Sequence, residues 1–183
     1  MTAHRTICFG LATILLTARA VAQTAGADQE LPQPKSVTVE QSLGAERAAV
    51  MVRAARLFYA FWDTGDSTFA RKAVSERFTD NTLPKGRPQG LAGLAFASRN
   101  FRAAVPDLRC TIEDLLVVGD KVTARLMFTG THRGRFMGRP PTEHRVRFLA
   151  IDILRVEDGR IVEDWHLEDN LTLMQQLGVV PEL

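Results

Sequence analysis

The sequence predicts an α+β fold in which N-terminal helices pack on one face of a curved antiparallel sheet, leaving a cone-shaped, barrel-like shell with an open mouth. Apolar residues recur at helical spacing up to about residue 104 and at every second position from Leu108 onward. Gly and Pro punctuate the change of period. With 183 residues, 45% hydrophobic and 24% charged, the chain can bury the core of one domain. Helices followed by consecutive strands favour two layers over an alternating βαβ arrangement, and a sheet curved around helices encloses a ligand pocket.

Residues 1–22 read as a secretory signal peptide: His4 and Arg5 make a positive start, Ile7 to Leu16 is apolar, and Ala20-Val21-Ala22 supplies small residues at the cleavage position. That apolar run is far below the ~20 residues needed to span a bilayer, so the expected product is exported, periplasmic or secreted, with no membrane attachment once the leader is removed. Losing Arg5 and Arg19 brings the 23 basic residues into balance with the 21 acidic ones. A neutral chain without a basic run is not expected to bind nucleic acid. Cys8 leaves with the leader and strands Cys110, so no internal disulfide is expected. Residues 23–44, rich in Gln, Ala, Ser and Pro, read as a flexible linker, and the folded domain as 45–183.

Val50, Ala54, Leu57 and Phe61, broadened by Phe58 and Trp62, predict an amphipathic helix ending at Thr64-Gly65. A short helix from Asp66 to Val74, an extended piece over 78–82, a Pro/Gly loop, and a third helix from Leu91 to Ala103, stopped before Pro106, follow. Then come four strands, carried by Leu108-Cys110-Ile112, Val122-Ala124-Leu126-Phe128, Val146-Phe148-Ala150 and Ile161-Trp165-Leu167, the first two joined at Gly119-Asp120.

The even positions of the third strand form an apolar row interrupted by Asp152. A carboxylate there needs a partner. Arg125 or Arg155 could satisfy it, or His166 of the next strand, itself otherwise a hydrogen-bonded core histidine. A two-residue Asp158-Gly159 turn would put Asp152 and His166 on opposite surfaces. A three-residue Glu157-Asp158-Gly159 turn with a bulge, the reading adopted, puts them on one face, with His166 opposite Ala150 and diagonal to Asp152, roughly 7–8 Å away. An imidazole oriented by a carboxylate is an acid/base catalyst. His132, His144 and His166 lack the spacing of a metal site and the thiol is isolated, so no metal is expected. The arginines from Arg133 to Arg147 read as a solvated edge balanced by Glu143, Glu163 and Asp164.

The run Gly130-Thr131-His132-Arg133-Gly134-Arg135-Phe136-Met137-Gly138-Arg139-Pro140-Pro141-Thr142, the segment Asp152-Ile153-Leu154-Arg155-Val156-Glu157-Asp158-Gly159-Arg160-Ile161-Val162-Glu163-Asp164-Trp165, and Leu173-Met174-Gln175-Gln176-Leu177-Gly178 resemble the SnoaL-like polyketide cyclases, or ester cyclases, over roughly residues 46–180. The resemblance implies the nuclear-transport-factor-2-like cone, dimerisation through the open sheet face, and ring closure by intramolecular aldol condensation without metal or organic cofactor. In that family a carboxylate is the acid/base and a histidine on the neighbouring strand assists. By spacing, the catalytic aspartate falls on His166 and the assisting histidine on Asp152, an exchange of types. A family asparagine falls near Asp80, with Asn81 adjacent.

The expected function is therefore an exported, cofactor-free enzyme acting on a small apolar carbonyl or ester compound by cyclisation or hydrolysis. His166 would be the general base and Asp152 its orienting partner. His132, Asp80 and Asn81 would be donors to a developing oxyanion, in a pocket walled by Phe58, Phe61, Trp62, Phe96, Phe128 and Phe148. Limonene-epoxide hydrolases and ketosteroid isomerases share the superfamily. The hydrolase arrangement would need Asp80, Asp152 and Arg147, but odd-numbered Arg147 should face away. The alternative from another class is a non-catalytic periplasmic small-molecule-binding module.

Overall fold

The computed structural model describes residues 31–181, so the leader expected over 1–22 lies outside the described residues. Helices α1 (Ala45–Thr64), α2 (Ser67–Ala73) and α3 (Gly90–Ala104) precede most of the sheet, and α4 (Asn170–Gln176) follows it. The strands are β1 (Val37–Val39), β2 (Val74–Asp80), β3 (Arg109–Val118), β4 (Lys121–Thr131), β5 (Arg145–Glu157) and β6 (Arg160–Glu168). They form one open sheet in the order β1-β3-β4-β5-β6-β2.

The central meander β3-β4-β5-β6 is antiparallel, as its period of two predicts, but β1 joins β3 and β2 joins β6 in parallel. The sheet is thus mixed and six-stranded. β1 lies within the stretch read as a linker: Val37 to Val39 pair with Leu115 to Val117 although their side chains are exposed. Backbone pairing at a sheet edge orders three residues whose side chains give no burial signal, so ordered structure begins before residue 45.

Helix α1 buries Met51, Ala54, Ala55, Phe58 and Phe61, a stripe at spacings of three and four, and ends where Gly65, at φ 78°, takes the left-handed conformation. Val50, expected on this stripe, is 44% exposed, and Met51 takes its place. Asp66 caps α2 by accepting the Thr68 N–H at 2.8 Å. Helix α3 is fastened at its C-terminus by the Arg133 and Gly134 N–H groups, which both donate to the Ala104 carbonyl at 2.9 Å. Side chains from the helices meet an inner sheet face that includes Ile112, Leu115, Val117, Val122, Leu126, Phe148 and Leu154, all buried. On the outer face Leu149, Ile151 and Ile153 are 37–40% exposed. Among the described residues no helix is long and apolar enough to cross a membrane.

The β5–β6 hairpin corrects the expected turn. Glu157 pairs with Arg160, so the turn is the two residues Asp158-Gly159, both left-handed at φ 47° and 73°, a type I′ geometry that Asp and Gly tolerate best. The extra residue lies inside the strand. Val156 pairs with Ile161 but Arg155 pairs with Glu163, so Val162 has no counterpart. This bulge turns β6 over, and Ile161 and Val162 are both buried.

Candidate active site

Beyond Val162 the even residues of β6 face inward, and Asp152 of β5 pairs directly with His166 rather than diagonally. At such a pair the side chains stand side by side. His166 Nδ1 lies 2.5 Å from Asp152 Oδ1. The other carboxylate oxygen, Oδ2, accepts the Tyr59 hydroxyl at 3.0 Å. Arg125 and Arg155, the alternative partners, bind Asp114 and the Glu157–Glu163 pair on the outer side. A buried chain therefore runs from α1 through β5 to β6: Tyr59 is wholly buried, Asp152 is 1% exposed, and the His166 side chain is 28% exposed.

His166 forms part of the wall of a cavity of about 370 Å³, within the size range of small-molecule sites. Trp62, Phe101, Phe128, Phe148, Leu94 and Leu108 supply apolar wall. Phe128 and Phe148 are stacked, 5.2 Å between centroids and 12° between planes, and Trp62 meets Phe128 edge-on. The polar wall consists of Asp80, Thr82, Arg87, Asp164, His166, Glu168 and Asn170. Asp152 is not in the wall. It lies behind His166, where it can orient the ring without touching a ligand.

Of the other residues singled out from sequence, Asp80, Trp62, Phe128 and Phe148 line the cavity, whereas Asn81 and His132 do not. The Asn81 side chain reaches Glu163 at 3.4 Å and is exposed. His132 is fully buried at the base of the 132–144 loop, with Nδ1 3.0 Å from Thr142 Oγ1. Phe58 and Phe61 are core and Phe96 is 42% exposed, so these three are not cavity walls. Asp80 is held by the Arg87 guanidinium and by the Thr82 N–H and hydroxyl, at 2.9 and 3.0 Å. The Thr82 hydroxyl accepts the His166 backbone N–H at 3.0 Å, tying this loop to β6.

Tyr59, Asp164 and Glu168 were not assigned to the site from sequence. Asp164, read as a counter-charge to the arginine-rich edge, is instead buried in the cavity wall, and Glu168 Oε2 lies 3.5 Å from His166 Nε2. Asp164, His166 and Glu168 share one parity of β6, and Tyr59 is the chain's sole tyrosine; parity was the available signal.

Burial opposes the charged form of His166, but hydrogen bonds to Asp152 and Glu168 outweigh it and hold the imidazole well above its usual range. The shift favours the imidazolium, whose Nδ1–H donates to Asp152. Burial, reinforced by the charges of Asp152 and Asp80 against those of His166 and Arg87, pushes Asp164 well above the carboxylate range. Burial beside Asp152 and Asp164 likewise raises Tyr59, which stays a proton donor. The Cys110 thiol is buried and pushed up, so it is a small core group.

The SnoaL-like polyketide cyclase family model matches residues 52–177. The chain belongs to this family. A curated relative, nogalonic acid methyl ester cyclase of Streptomyces nogalater, is 33% identical over 98 residues, 54% of this chain and 69% of that protein. A Bacillus cereus structure assigned as a polyketide cyclase is 58% identical with TM-score 0.76, covering 83% of this chain and 96% of its own. TsrD of Streptomyces laurentii is 29% identical with TM-score 0.66, covering 76% of this chain and all of its own. A ketosteroid-isomerase-like structure from Catenulispora acidiphila, 15% identical with TM-score 0.55 over 69% of this chain, shares the fold. The six-stranded open sheet is thus the nuclear-transport-factor-2-like cone.

Proposed function

We propose that this protein is a cyclase-type enzyme that performs cofactor-free acid/base chemistry on a small, largely apolar carbonyl or ester compound. The observation that carries the reading is the Tyr59–Asp152–His166 chain, which delivers one oriented, charged imidazole to the wall of an aromatic cavity. The family membership and the ester cyclase of Streptomyces nogalater support the reaction class.

Ring closure of the aldol type breaks a C–H bond next to one carbonyl, forms a C–C bond to a second carbonyl carbon and places a proton on that carbonyl's oxygen. Because Asp152 and Glu168 both hold the His166 ring and favour its protonated form, His166 enters as the acid and not as the base expected from sequence. Nε2–H donates to the acceptor oxygen, and the Glu168 carboxylate on the same wall takes the proton from carbon. One proton leaves carbon and one reaches oxygen. Transfer from Glu168 to Nε2 across their 3.5 Å contact restores the pair. A positioned acid/base contributes ~10²–10⁴ in rate. Export rests on the leader-like residues 1–22, and a homodimer through the outer sheet face on the exposed Leu149, Ile151 and Ile153.

The test is exchange of α-protons for deuterium, followed by NMR on a panel of aryl β-keto esters, with wild type and His166→Ala. The expected outcome is a loss of 10²–10⁴-fold in exchange with ligand-induced thermal shifts nearly unchanged. An unaltered rate removes His166 from the mechanism. Thermal shifts without exchange in wild type favour a binding module.

A further inference from the structure

Asp164 is the one carboxyl of the cavity wall that has neither a task in the acid/base scheme nor a side-chain partner holding it. It is 4% exposed, and its Oδ1 is buried without a hydrogen-bond partner. Its neighbours are engaged: Asp152 by Tyr59 and His166, Asp80 by Arg87 and Thr82. An isolated buried carboxylate would be costly, whereas the neutral acid needs only an acceptor for its O–H. The charged or titratable groups facing it are Asp152 from β5, Asp80 from β2, Arg87 from the loop after β2, Tyr59 from α1, and His166 two residues along its own strand. Burial and the two flanking carboxylates favour the proton, His166 and Arg87 oppose it, and the proton stays. As residues i and i+2 of one strand, Asp164 and His166 present their side chains to the same cavity.

We propose that Asp164 is a carboxylic acid whose O–H donates a hydrogen bond to an oxyanion of the bound ligand, so that the cavity prefers the enolate or phenolate form of an apolar enol over its neutral form. Paired with the His166 Nε2–H, it makes a two-donor oxyanion site against the stacked Phe128 and Phe148, the arrangement that stabilises charge developing on a carbonyl oxygen. This deepens the acid/base reading of the same cavity and rests on it for catalytic relevance, but not for the proton on Asp164.

Two measurements on the full chain test it. In the free protein, the Asp164 ¹³Cγ resonance, assigned through its backbone, is expected to titrate well above the ordinary carboxylate range. Titration in the ordinary carboxylate range, near 4, overturns the proposal. The second uses 2-naphthol, an apolar phenol whose neutral and anionic forms differ in absorbance. Wild type should bind the anion at least tenfold more tightly than the neutral form, lowering the ionisation of bound naphthol by at least one pH unit. Asp164→Asn, which keeps shape and one donor, should reduce that preference about threefold, and Asp164→Ala should reduce it by about tenfold or more, to what the His166 Nε2–H alone sustains. Equal preference in wild type and both variants, or none in wild type, overturns the donor role. Retained preference for naphtholate without α-proton exchange on the keto esters would instead defeat the catalytic reading and leave Asp164 as assigned.

Discussion

Hairpin β3–β4 closes on Gly119-Asp120 and carries one unpaired residue, Glu113; hairpin β5–β6 closes on Asp158-Gly159 and carries one, Val162. In the first, the inward residues pass from Cys110 and Ile112 to Leu115 and Val117 across the bulge, so the core meets apolar groups on both sides of it. In the second they pass from Ile161 to Val162, Asp164 and His166. Each bulge takes one residue out of the alternation: in β3 it keeps apolar groups inward on both sides, and in β6 it keeps Asp164 and His166 turned to the cavity, where unbroken alternation through Val162 would bring Glu163 and Trp165 inward instead.

Inserting one alanine between Glu163 and Asp164 should have the largest effect. With Glu163 still opposite Arg155, it would turn Asp164 and His166 outward and Trp165 inward, reducing α-proton exchange to the uncatalysed rate. Inserting one between Thr111 and Ile112 would turn Cys110 outward and Thr111 inward, lowering the melting temperature while the fraction that remains folded keeps its exchange rate. Deleting Val162, by contrast, removes the bulge and leaves Asp152 opposite His166, so exchange should persist. Circular dichroism melting together with the exchange assay separates these outcomes. An insertion after Glu163 that retained turnover would break the comparison.

Tyr59→Phe sharpens it by removing only the donor to Asp152 Oδ2. Leaving a buried charged oxygen short of a partner should cost about 1.5–3 kcal/mol in urea unfolding, with no matching effect from a substitution on the β3–β4 hairpin, whose inner face carries no such chain.

The smallest effect is on the pH dependence of stability. The folded state holds the His166 proton beyond the pH at which unfolded histidine releases it, near 6.5. The resulting stabilisation is complete below that pH and is lost as pH climbs through the folded value. Asp164, raised above the carboxylate range, contributes with the same sign from about pH 4 upward. Melting temperature should therefore fall as pH rises above about 6.5 in wild type and fall less in His166→Gln, where the Asp164 share remains.

The helices and the four long strands were legible because each carries its own period, and Gly65, Asp66 and Pro106 mark their ends. β1 and the full length of β2 were not, since parallel edge strands are held by backbone bonds to residues far along the chain. Asp152 and His166 were found together because a lone acid in an apolar row demands a partner, although the geometry assigned to the turn was wrong. A type I′ turn followed by a bulge restores the same face as a three-residue turn, and local spacing does not distinguish them. Tyr59 was hidden because α1 already reads as a continuous apolar stripe. Asp164 was hidden because a charged residue in a mixed-charge strand suggests solvent until the bulge is seen.

At Gly134 a β-carbon would stand 1.8 Å from the Ala103 carbonyl oxygen, so loop and helix touch main chain to main chain. Helix α3 brings Leu94, Ala97 and Phe101 to the cavity, and Phe101 also meets Phe136 of that loop. This side of the cavity is a fixed jaw, its gap set by a contact that no side-chain replacement can widen gradually. Retuning toward larger or smaller ligands falls to the side chains that line the cavity, Trp62, Phe101, Phe128 and Phe148 among them, where ring size can change one residue at a time.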